Sequence, residues 1–274
     1  MQRLRRLLRQ RTTRRSEGAF VAEGVKVLTA ALDAGAPVEA VYHSPDAPSA
    51  PGAREVLERA RAAGVRVFAL QRGVLERVAD AVTPQPVLGV VATVDRPLAA
   101  VVASAVAGAP LVVCVDVRDP GNLGAIVRAA DAAGTSGVVC CDTSADAYNP
   151  KSVRASAGSL FHVPLVVDVV AADALRAIGE AGFTRVATVA RGGEDYARSQ
   201  LGDRLALVLG NEAHGLEDTI SGALDVRLTI PMLGHAESLN VAMAATVLCF
   251  ELARRRRLDA APGGGDPGVA QTVR

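Results

Sequence analysis

The sequence lacks the long apolar stretches of a membrane protein and the ligand spacings of a metal protein. None of its 274 residues falls in a run of 18 consecutive apolar residues, and the N-terminus has no apolar core of the signal-peptide type. Only four cysteines are present, in apolar runs without metal-ligand spacing: Cys114, Cys140, Cys141 and Cys249. We therefore expect a cytoplasmic protein with buried, reduced thiols, no membrane segment and no metal.

The chain also has little net charge, but that charge is unevenly distributed. The formal net charge is +1, whereas residues 1–17 hold seven arginines against Glu17, a net +6 that leaves −5 for the remainder. This asymmetry predicts an anionic partner at the N-terminus. A solvated helical face without a partner is an alternative, and so is an organelle transit peptide, which is equally Arg-rich. The arginine run continues without a break into RRSEGAFVAEG, which has the pattern of a folded segment and disfavours the transit peptide.

Half of the residues are apolar, which is enough to fill one large or two ordinary domains, and two blocks separate near residue 100. The first block, 1–97, has the pattern of a small α/β domain. Its predicted helices span 23–34 and 52–63, and its predicted strands lie at 38–42, 65–69 and 87–94. Residues 98–110 form a linker that fits a hinge or a packed strap equally well. Residues 259–274 have no apolar periodicity and are expected to be disordered.

In the second block, 111–258, continuous apolar runs alternate with helix-sized segments. The runs are LVVCVDV, GVVCCD, VPLVVDV, FTRVATV, LALVLG and VRLTI. Runs of this kind are typical of strands buried on both faces, so the pattern predicts a parallel sheet covered by helices. Ligands bind such sheets outside the carboxyl ends of the strands. Polar residues at those ends are therefore the candidates for a functional site.

The first polar strand end is DVRDPGNLGAIVRAADAAG. Asp119 and the following Pro-Gly make a tight turn, and Asn122 is placed to cap a helix. Gly124 allows another backbone to come close, and Arg128 lies inside the helix. On its own the segment is an incomplete dinucleotide fingerprint, since GNLG lacks the full glycine spacing, although Asp142 ends the next strand where a ribose-binding acid would lie.

Two further strand ends are LGNEAHG and IPMLGHAESLNVAMAATVLCFELARR. In LGNEAHG a carboxylate, Glu212, follows two residues after the glycine that ends the strand. In the other segment, Ser238 stands at a helix N-cap position and Asn240 follows, before a helix that is apolar nearly all round and so should be buried. Taken singly, each of the three strand ends has an ordinary structural interpretation: a surface arginine, a loop tip or a capped core helix.

Together the three segments resemble a known family. N-x-G-x-x-x-R at 122–128, L-G-N-E-x-x-G at 209–215 and I-P-M-x-x-x-x-E-S-L-N-V at 230–241 resemble, in order, the motifs of the SpoU (TrmH) branch of the SPOUT RNA 2′-O-methyltransferases. NPKSVRASAGSLFHVP and RRSEGAFVAEG are also similar to that family, so the resemblance covers most of residues 11–257. It implies an α/β fold in which a small α/β substrate-binding domain is followed by a parallel-sheet SPOUT domain. The SPOUT domain of this family contains a deep trefoil knot, whereas the chains of most proteins are not threaded through their own loops.

The resemblance implies S-adenosylmethionine as the cofactor, a homodimer through the knot region, and structured RNA as the substrate, with rRNA favoured over tRNA. The implied catalytic residues are Arg128, Asn122, Glu212, Ser238 and Asn240. The implied cofactor-binding residues are Leu209, Gly210, Asn211, Ile230, Met232, Ser238 and Leu239. The basic residues expected to bind RNA are Arg3, Arg5, Arg6, Arg9, Arg14, Arg15, Lys151 and Arg154.

The implied reaction needs a ribose hydroxyl that is aligned with the methyl group and loses its proton. It needs no acid for the leaving group, because the sulfonium becomes neutral when the methyl group leaves. A guanidinium stays protonated, so we expect Arg128 to bind the adjacent phosphate and polarise the hydroxyl while a phosphate oxygen or water takes the proton. Glu212 is expected to orient Arg128 or brace the loops, and the polar side chains of Asn122, Ser238 and Asn240 to position backbone and ribose.

Two alternatives come from other classes of protein. A Rossmann oxidoreductase is suggested by GNLG and Asp142, but it leaves LGNEAHG and ESLNV unexplained. A non-catalytic RNA-binding protein with a decayed methyltransferase domain is disfavoured because all five candidate catalytic residues are intact.

Overall fold

The computed structural model describes residues 1–79, 85–211, 215–216, 220 and 222–259. The N-terminal elements are α1 Gln2–Arg9, α2 Arg11–Glu17, β1 Ala19–Glu23, α3 Val25–Asp33, β2 Val38–His43, α4 Ala53–Ala62, β3 Arg66–Ala69, α5 Val74–Ala79 and β4 Val87–Ala92. Their four strands form one sheet in the order β1-β4-β2-β3. Strand β4 is antiparallel to β1 and β2, whereas β3 is parallel to β2 and lies at the edge.

The arginine-rich N-terminus folds as an amphipathic helix followed by a second short helix. Leu4, Leu7 and Leu8 recur at helical spacing and pack against Val21 of β1 and Leu88 of β4. The intervening arginines of α1 are thereby left on the solvent side of the helix. This segment is part of the domain, and the predicted α/β character of the first block is confirmed.

The remaining elements are α6 Leu98–Ala103, β5 Leu111–Cys114, α7 Pro120–Ala132, β6 Gly137–Cys141, α8 Pro150–Ser156, β7 Leu165–Val169, α9 Ala171–Glu180, β8 Thr184–Thr188, β9 Glu194–Asp195, β10 Leu205–Leu209, β11 Val226–Thr229 and α10 Val241–Asp259. Seven strands form a sheet in the order β7-β6-β5-β10-β8-β11-β9, and every pair in it is parallel. The parallel sheet predicted from the six apolar runs is confirmed. The trefoil knot stays a prediction from the resemblance.

The two parts of the chain share a continuous apolar core. The Phe20 ring lies 4.7 Å from that of Tyr148 and 6.1 Å from that of Phe161, centroid to centroid. The Tyr148 hydroxyl donates to a carboxylate oxygen of Asp95 at 2.7 Å and accepts from the Val94 amide at 2.9 Å. The predicted linker contains α6, whose Val101 is fully buried beneath the parallel sheet, so this segment is packed and is not an exposed hinge.

All four cysteines are free and buried, as predicted. Burial raises the pKa of Cys141 and of Cys249 to about 12, so both thiols are protonated at neutral pH. None of the helices in the described part of the chain is long and apolar enough to cross a membrane. The predicted disordered tail lies, from residue 260 onward, outside the described residues.

Candidate active site

A cavity of about 660 Å³ opens where the carboxyl ends of β8, β10 and β11 meet the N-terminus of α10. Three segments contribute to its wall: the loop after β8, the loop after β10 and the segment that leads from β11 into α10. Their lining residues include Gly210, Asn211, Ile230, Met232, Ser238, Leu239 and Asn240. The site therefore lies at the edge of the sheet where ligands of parallel α/β folds bind.

Helix α7, which carries the first motif, begins three residues earlier than a cap at Asn122 would require. Pro120 occupies its first turn, and the Asp119 carboxylate caps it by accepting from the Asn122 amide at 2.9 Å. Lys151 donates to the same carboxylate at 2.6 Å and, with the cap bond, holds the pKa of Asp119 below its ordinary value. The prediction that Asn122 caps the helix is thus wrong, and its side chain is left to make other contacts.

Asn240 joins the first motif to the third. Its Oδ1 accepts from the Ala242 amide at 2.9 Å, so Asn240 caps α10. Its Nδ2 donates to Oδ1 of Asn122 at 3.0 Å. The cap fixes which way the amide points, and that orientation turns the donor toward Asn122. Ser238, which was predicted to be the cap, instead lies exposed in the cavity wall because α10 begins later, at Val241.

The second motif is anchored to the loop that follows β5. Asn211 donates through Nδ2 to Asp116, at 2.9 Å to Oδ2 and 3.2 Å to the carbonyl oxygen. Asp116 has a left-handed backbone, with φ of 58°, and its other carboxylate oxygen accepts from Arg118 at 2.9 Å. The sequence analysis missed Asp116. Its only signal was a carboxylate directly after an apolar strand, and its role depends on contact with a residue 95 positions away.

Gly210 is needed by the loop itself. Asn211 and Gly215 form a closed turn, with amide-to-carbonyl bonds of 2.8 and 2.9 Å in the two directions. A Cβ on Gly210 would lie 2.6 Å from the carbonyl group of Gly215 and 2.8 Å from the Leu216 nitrogen. Any larger residue would therefore displace the turn. At Gly124 the predicted close approach is confirmed, because a Cβ there would lie 2.3 Å from the Ser152 carbonyl oxygen of α8.

The other predicted site residues take several positions. Leu209 is fully buried at the end of β10 and does not line the cavity. Arg128 is exposed on α7, outside the cavity lining, and no ion pair to it is found in the described ranges. Glu212 lies outside the described residues. No group of three His, Cys, Asp or Glu side chains able to hold a metal ion occurs within the part of the chain that the structure describes.

The arginines of the N-terminus are largely engaged within the protein. Arg14 is 3% exposed, pairs with Asp146 at 2.6 Å, and donates to the carbonyl oxygen of Leu7 at 2.6 Å. Arg14 is thus unavailable for RNA, which corrects the prediction. Arg15 shares Asp168 with Arg11, each at 2.5 Å.

Most of the other predicted RNA contacts keep exposed guanidinium or ammonium groups that already have carboxylate partners. Arg3 and Arg6 pair with Glu17, and Arg3 also with Glu39, which raises the pKa of Arg3. Lys151 pairs with Asp119, and Arg154 with the buried carboxylate of Glu23. Arg5 and Arg9 are exposed on α1, and Arg5 has no ion pair in the described ranges.

Sequence comparison gives two adjacent family matches. A profile of the SpoU rRNA Methylase family matches residues 109–250, and a profile of the MRM3-like substrate binding domain matches residues 2–89. A Streptomyces viridochromogenes protein named 23S rRNA (uridine(2479)-2'-O)-methyltransferase is 34% identical over 91% of this chain and 88% of its own length. A Bacillus subtilis 23S rRNA (guanosine(2553)-2'-O)-methyltransferase, RlmP, is 34% identical over 69% of this chain and 73% of its own.

Solved structures agree in fold over nearly the full length. The AdoMet-bound rRNA methyltransferase from Sinorhizobium meliloti has a TM-score of 0.80 and 32% identity, covering 93% of this chain and 94% of that one. The SpoU methyltransferase AviRb from Streptomyces viridochromogenes, in complex with AdoMet, also has a TM-score of 0.80, at 31% identity, covering 94% and 98%. The chain belongs to the SpoU rRNA methylase family, which favours a methyltransferase over the Rossmann oxidoreductase.

Proposed function

We propose that the protein transfers a methyl group from S-adenosylmethionine to a ribose 2′-hydroxyl of large-subunit ribosomal RNA. The observation that carries the proposal is that the second and third motif loops line one cavity, in which six of the seven residues expected to hold the cofactor lie. Asn122 of the first motif is hydrogen-bonded to Asn240 in the wall of this cavity. Relatives of similar length are named as 23S rRNA 2′-O-methyltransferases, and two solved structures with a similar fold contain bound AdoMet. Ribosomal RNA as substrate also supports a cytoplasmic location.

The cavity suits the proposed cofactor in size and in lining. Its volume falls within the usual range of about 300 to 1,000 Å³ for small-molecule sites. Ile230, Met232 and Leu239 offer apolar surface for a nucleobase, and the turns at Gly210 and Asn211 offer backbone donors and acceptors. When bound, the cofactor supplies the methyl group from a sulfonium centre, so no acid on the protein is needed to assist the leaving group.

The residues of the chain then have two tasks. The Asn240–Asn122 and Asn211–Asp116 bonds hold the motif loops at fixed positions, which favours in-line alignment of the ribose hydroxyl. Arg128 lies on the solvent side of α7, where its permanently charged guanidinium can bind a phosphate next to the target ribose. We infer that Arg128 acts on RNA and not on the cofactor, with a phosphate oxygen or water accepting the proton.

The proposed assembly is a homodimer through α10. This helix was expected to be buried all round, yet Met243 is 60% exposed and Phe250 is 46% exposed. The two residues are seven positions apart and so lie on the same face of the helix. A second copy of the chain would cover this apolar stripe and complete the burial that the sequence predicts.

Two measurements test the proposed function. The first is binding of labelled S-adenosylmethionine to the purified protein, with NADH as the control ligand; only the first should bind, and binding of NADH alone would contradict the proposal. The second is a map of 2′-O-methyl sites in rRNA and tRNA from cells with and without the gene. We expect a site in 23S-type rRNA to be lost with the gene, and a lost tRNA site would assign the substrate to tRNA instead.

A further inference from the structure

The edge of the N-terminal sheet carries a stacked pair of aromatic rings, one exposed and one half-buried, outside the lining of the cofactor cavity. The chain has only five phenylalanines and three tyrosines, and one of them, Phe68, is 42% exposed on the edge strand β3. Its ring stacks on Tyr42, its partner on β2, with 5.4 Å between centroids and an angle of 21° between planes. Tyr42 in turn packs against the buried core beneath α1 and α5. The pair is therefore a supported apolar surface in contact with solvent.

Cationic side chains lie on the edge strand and on the segment that follows it. Arg66 precedes Phe68 by two residues on the same strand, so both side chains point to the same face of the sheet. Arg66 is exposed and has no ion pair or hydrogen bond to its side chain within the described ranges. Over β3 and the following segment through α5, residues 66–79, three arginines stand against one glutamate, a net charge of +2, although Arg72 pairs with Asp46. The region is thus suited to a polyanion.

An exposed aromatic ring beside an arginine without an ion pair among the described residues, Arg66, matches the chemistry of a single-stranded nucleic acid. A base that has left the helical stack presents a flat π-face to the aromatic ring, while its phosphates contact the arginines. A paired duplex hides those faces, so it would engage only the charges. We propose that Phe68, supported by Tyr42 and flanked by Arg66, stacks an unpaired base of the RNA substrate.

This contact rests on the proposed function for its RNA, but it lies outside the methyl-transfer cavity. A second copy of this chain, paired along β3, is the competing occupant. Arg66 opposes that arrangement because charged residues on an edge strand discourage strand-to-strand pairing. The net positive charge of residues 66–79 likewise favours an anionic partner over a copy of the same basic surface.

The first test compares Phe68→Leu with Phe68→Tyr in binding to an unmodified 23S rRNA transcript at fixed salt. Leucine keeps the apolar contact but loses the π-face, so we expect its affinity to fall roughly 5- to 100-fold, the range for removal of one stacked base. Tyrosine should bind within twofold of the wild type. Equal affinities for all three proteins, with the variants folded, would overturn the proposal.

The second test uses the absence of tryptophan from the chain. Phe68→Trp introduces a single indole at the proposed contact, and stacking of a base on it should quench its fluorescence as the transcript is added. Val106→Trp, at a position 65% exposed, is the matched control and should not be quenched. No quenching at position 68, or quenching that depends on protein concentration without RNA, would contradict base stacking, the latter in favour of a second copy.

Failure of this contact is separable from failure of the proposed function. If the wild type transfers methyl groups to the transcript but Phe68→Leu binds it normally, only the stacking contact is wrong. If the wild type binds no S-adenosylmethionine and modifies no RNA, the proposed function is wrong. A duplex RNA of equal length should leave the indole at position 68 unquenched, and quenching by duplex equal to that by the transcript would also overturn the contact.

Discussion

The domain interface and the cofactor cavity use polar side chains in opposite ways. The interface is held by charges: Arg14 pairs with Asp146, and Arg11 and Arg15 share Asp168. The cavity loops are held largely by carboxamides, those of Asn122, Asn211 and Asn240.

This difference shows that a run of arginines in a sequence does not by itself indicate whether the side chains bind RNA or other parts of the protein. Seven arginines near the N-terminus predicted an RNA-binding arm, yet the buried member of the run, Arg14, serves to join two domains. The asparagines carry no charge and are easily overlooked one at a time. They fix loop positions through directed hydrogen bonds without placing another charge beside a ligand. Position in the fold decides whether an arginine binds RNA or protein.

The largest expected effect follows from removing the buried charge at the interface. Arg14→Ala leaves Asp146 without its partner, and breaking a buried pair costs about 3 to 5 kcal/mol. We expect a loss of that size in the free energy of unfolding, measured by urea titration. Arg5→Ala, at an exposed arginine of the same run, should change it by less than about 0.5 kcal/mol. Equal losses of free energy of unfolding for the two variants would contradict a stabilising role of the Arg14–Asp146 pair.

Arg128 is expected to have the largest effect on activity. Arg128→Ala should lower the single-turnover rate of methyl transfer by about 10² or more, as for loss of a preorganised electrostatic group, with cofactor affinity nearly unchanged. Arg176→Ala, on an exposed arginine of α9, is the control and should leave the rate unchanged. A rate for Arg128→Ala within threefold of the wild type would remove this residue from the site.

Asp116 is expected to position the second motif loop. Asp116→Ala removes the acceptor of Asn211 and should weaken S-adenosylmethionine binding by about 10-fold, since bonds to a charged group contribute about 1.5 to 3 kcal/mol. Arg118→Ala keeps the Asp116 carboxylate that accepts from Asn211 and should bind normally. Calorimetric titration of folded variants compares the two, and matching losses of affinity would assign the effect to Arg118.

The arginines on the solvent side of α1 should contribute a smaller, salt-dependent effect. If Arg5 contacts a phosphate, Arg5→Gln should flatten the slope of log affinity against log salt by about 0.7 to 0.9. Arg3→Gln should change it less, because the Arg3 guanidinium is already paired with two glutamates. Parallel lines for wild type and Arg5→Gln would leave α1 without a role in RNA binding.

The smallest expected effect concerns acid stability. Hydrogen bonds from Arg254 and Arg255 lower the pKa of Glu251 from its ordinary 4.5 to about 2. A carboxylate whose pKa is depressed on folding stabilises the protein above its unfolded pKa, and that contribution is lost as the pH falls from about 4.5 toward 2. Glu251→Gln should therefore cost a few tenths of a kcal/mol, about the value of helix pairs, at pH 7 and much less at pH 2. An equal cost at both pH values would contradict this.

Much of the fold could be predicted because buried parallel strands have a strong sequence signal. Runs such as LALVLG are apolar throughout, and β10 occupies Leu205–Leu209 as expected. The two-residue strand β9 and the helix α6 within the linker have no comparable pattern. Strand β1 was not predicted. Its sequence, AFVAE, includes a glutamate, yet all five residues are buried because other elements pack on the strand.

The residues of the candidate site could be predicted where the motifs have distinctive residue types. They could not be predicted where a residue's role depends on helix boundaries or on contacts between distant parts of the chain. The second and third motifs predicted seven residues of the cavity lining as neighbours, because strand ends of a parallel sheet lie at one edge. The N-caps of α7 and α10 were each predicted at the wrong residue. The caps are Asp119 and Asn240, because these residues directly precede the first residue of each helix. Asp116 and the buried pair of Arg14 depend on contacts across more than 90 residues, which no local pattern specifies.

The most direct test of the account is the chemical nature of the product. Protein, S-adenosylmethionine labelled in its methyl group and an unmodified 23S rRNA transcript are incubated, and the RNA is then hydrolysed in alkali. Alkaline cleavage requires a free 2′-hydroxyl, so a methylated ribose leaves the label in a resistant dinucleotide. We predict label in dinucleotides for the wild type and at least a hundredfold less for Arg128→Ala. Label in mononucleotides, or none at all, would contradict ribose methylation.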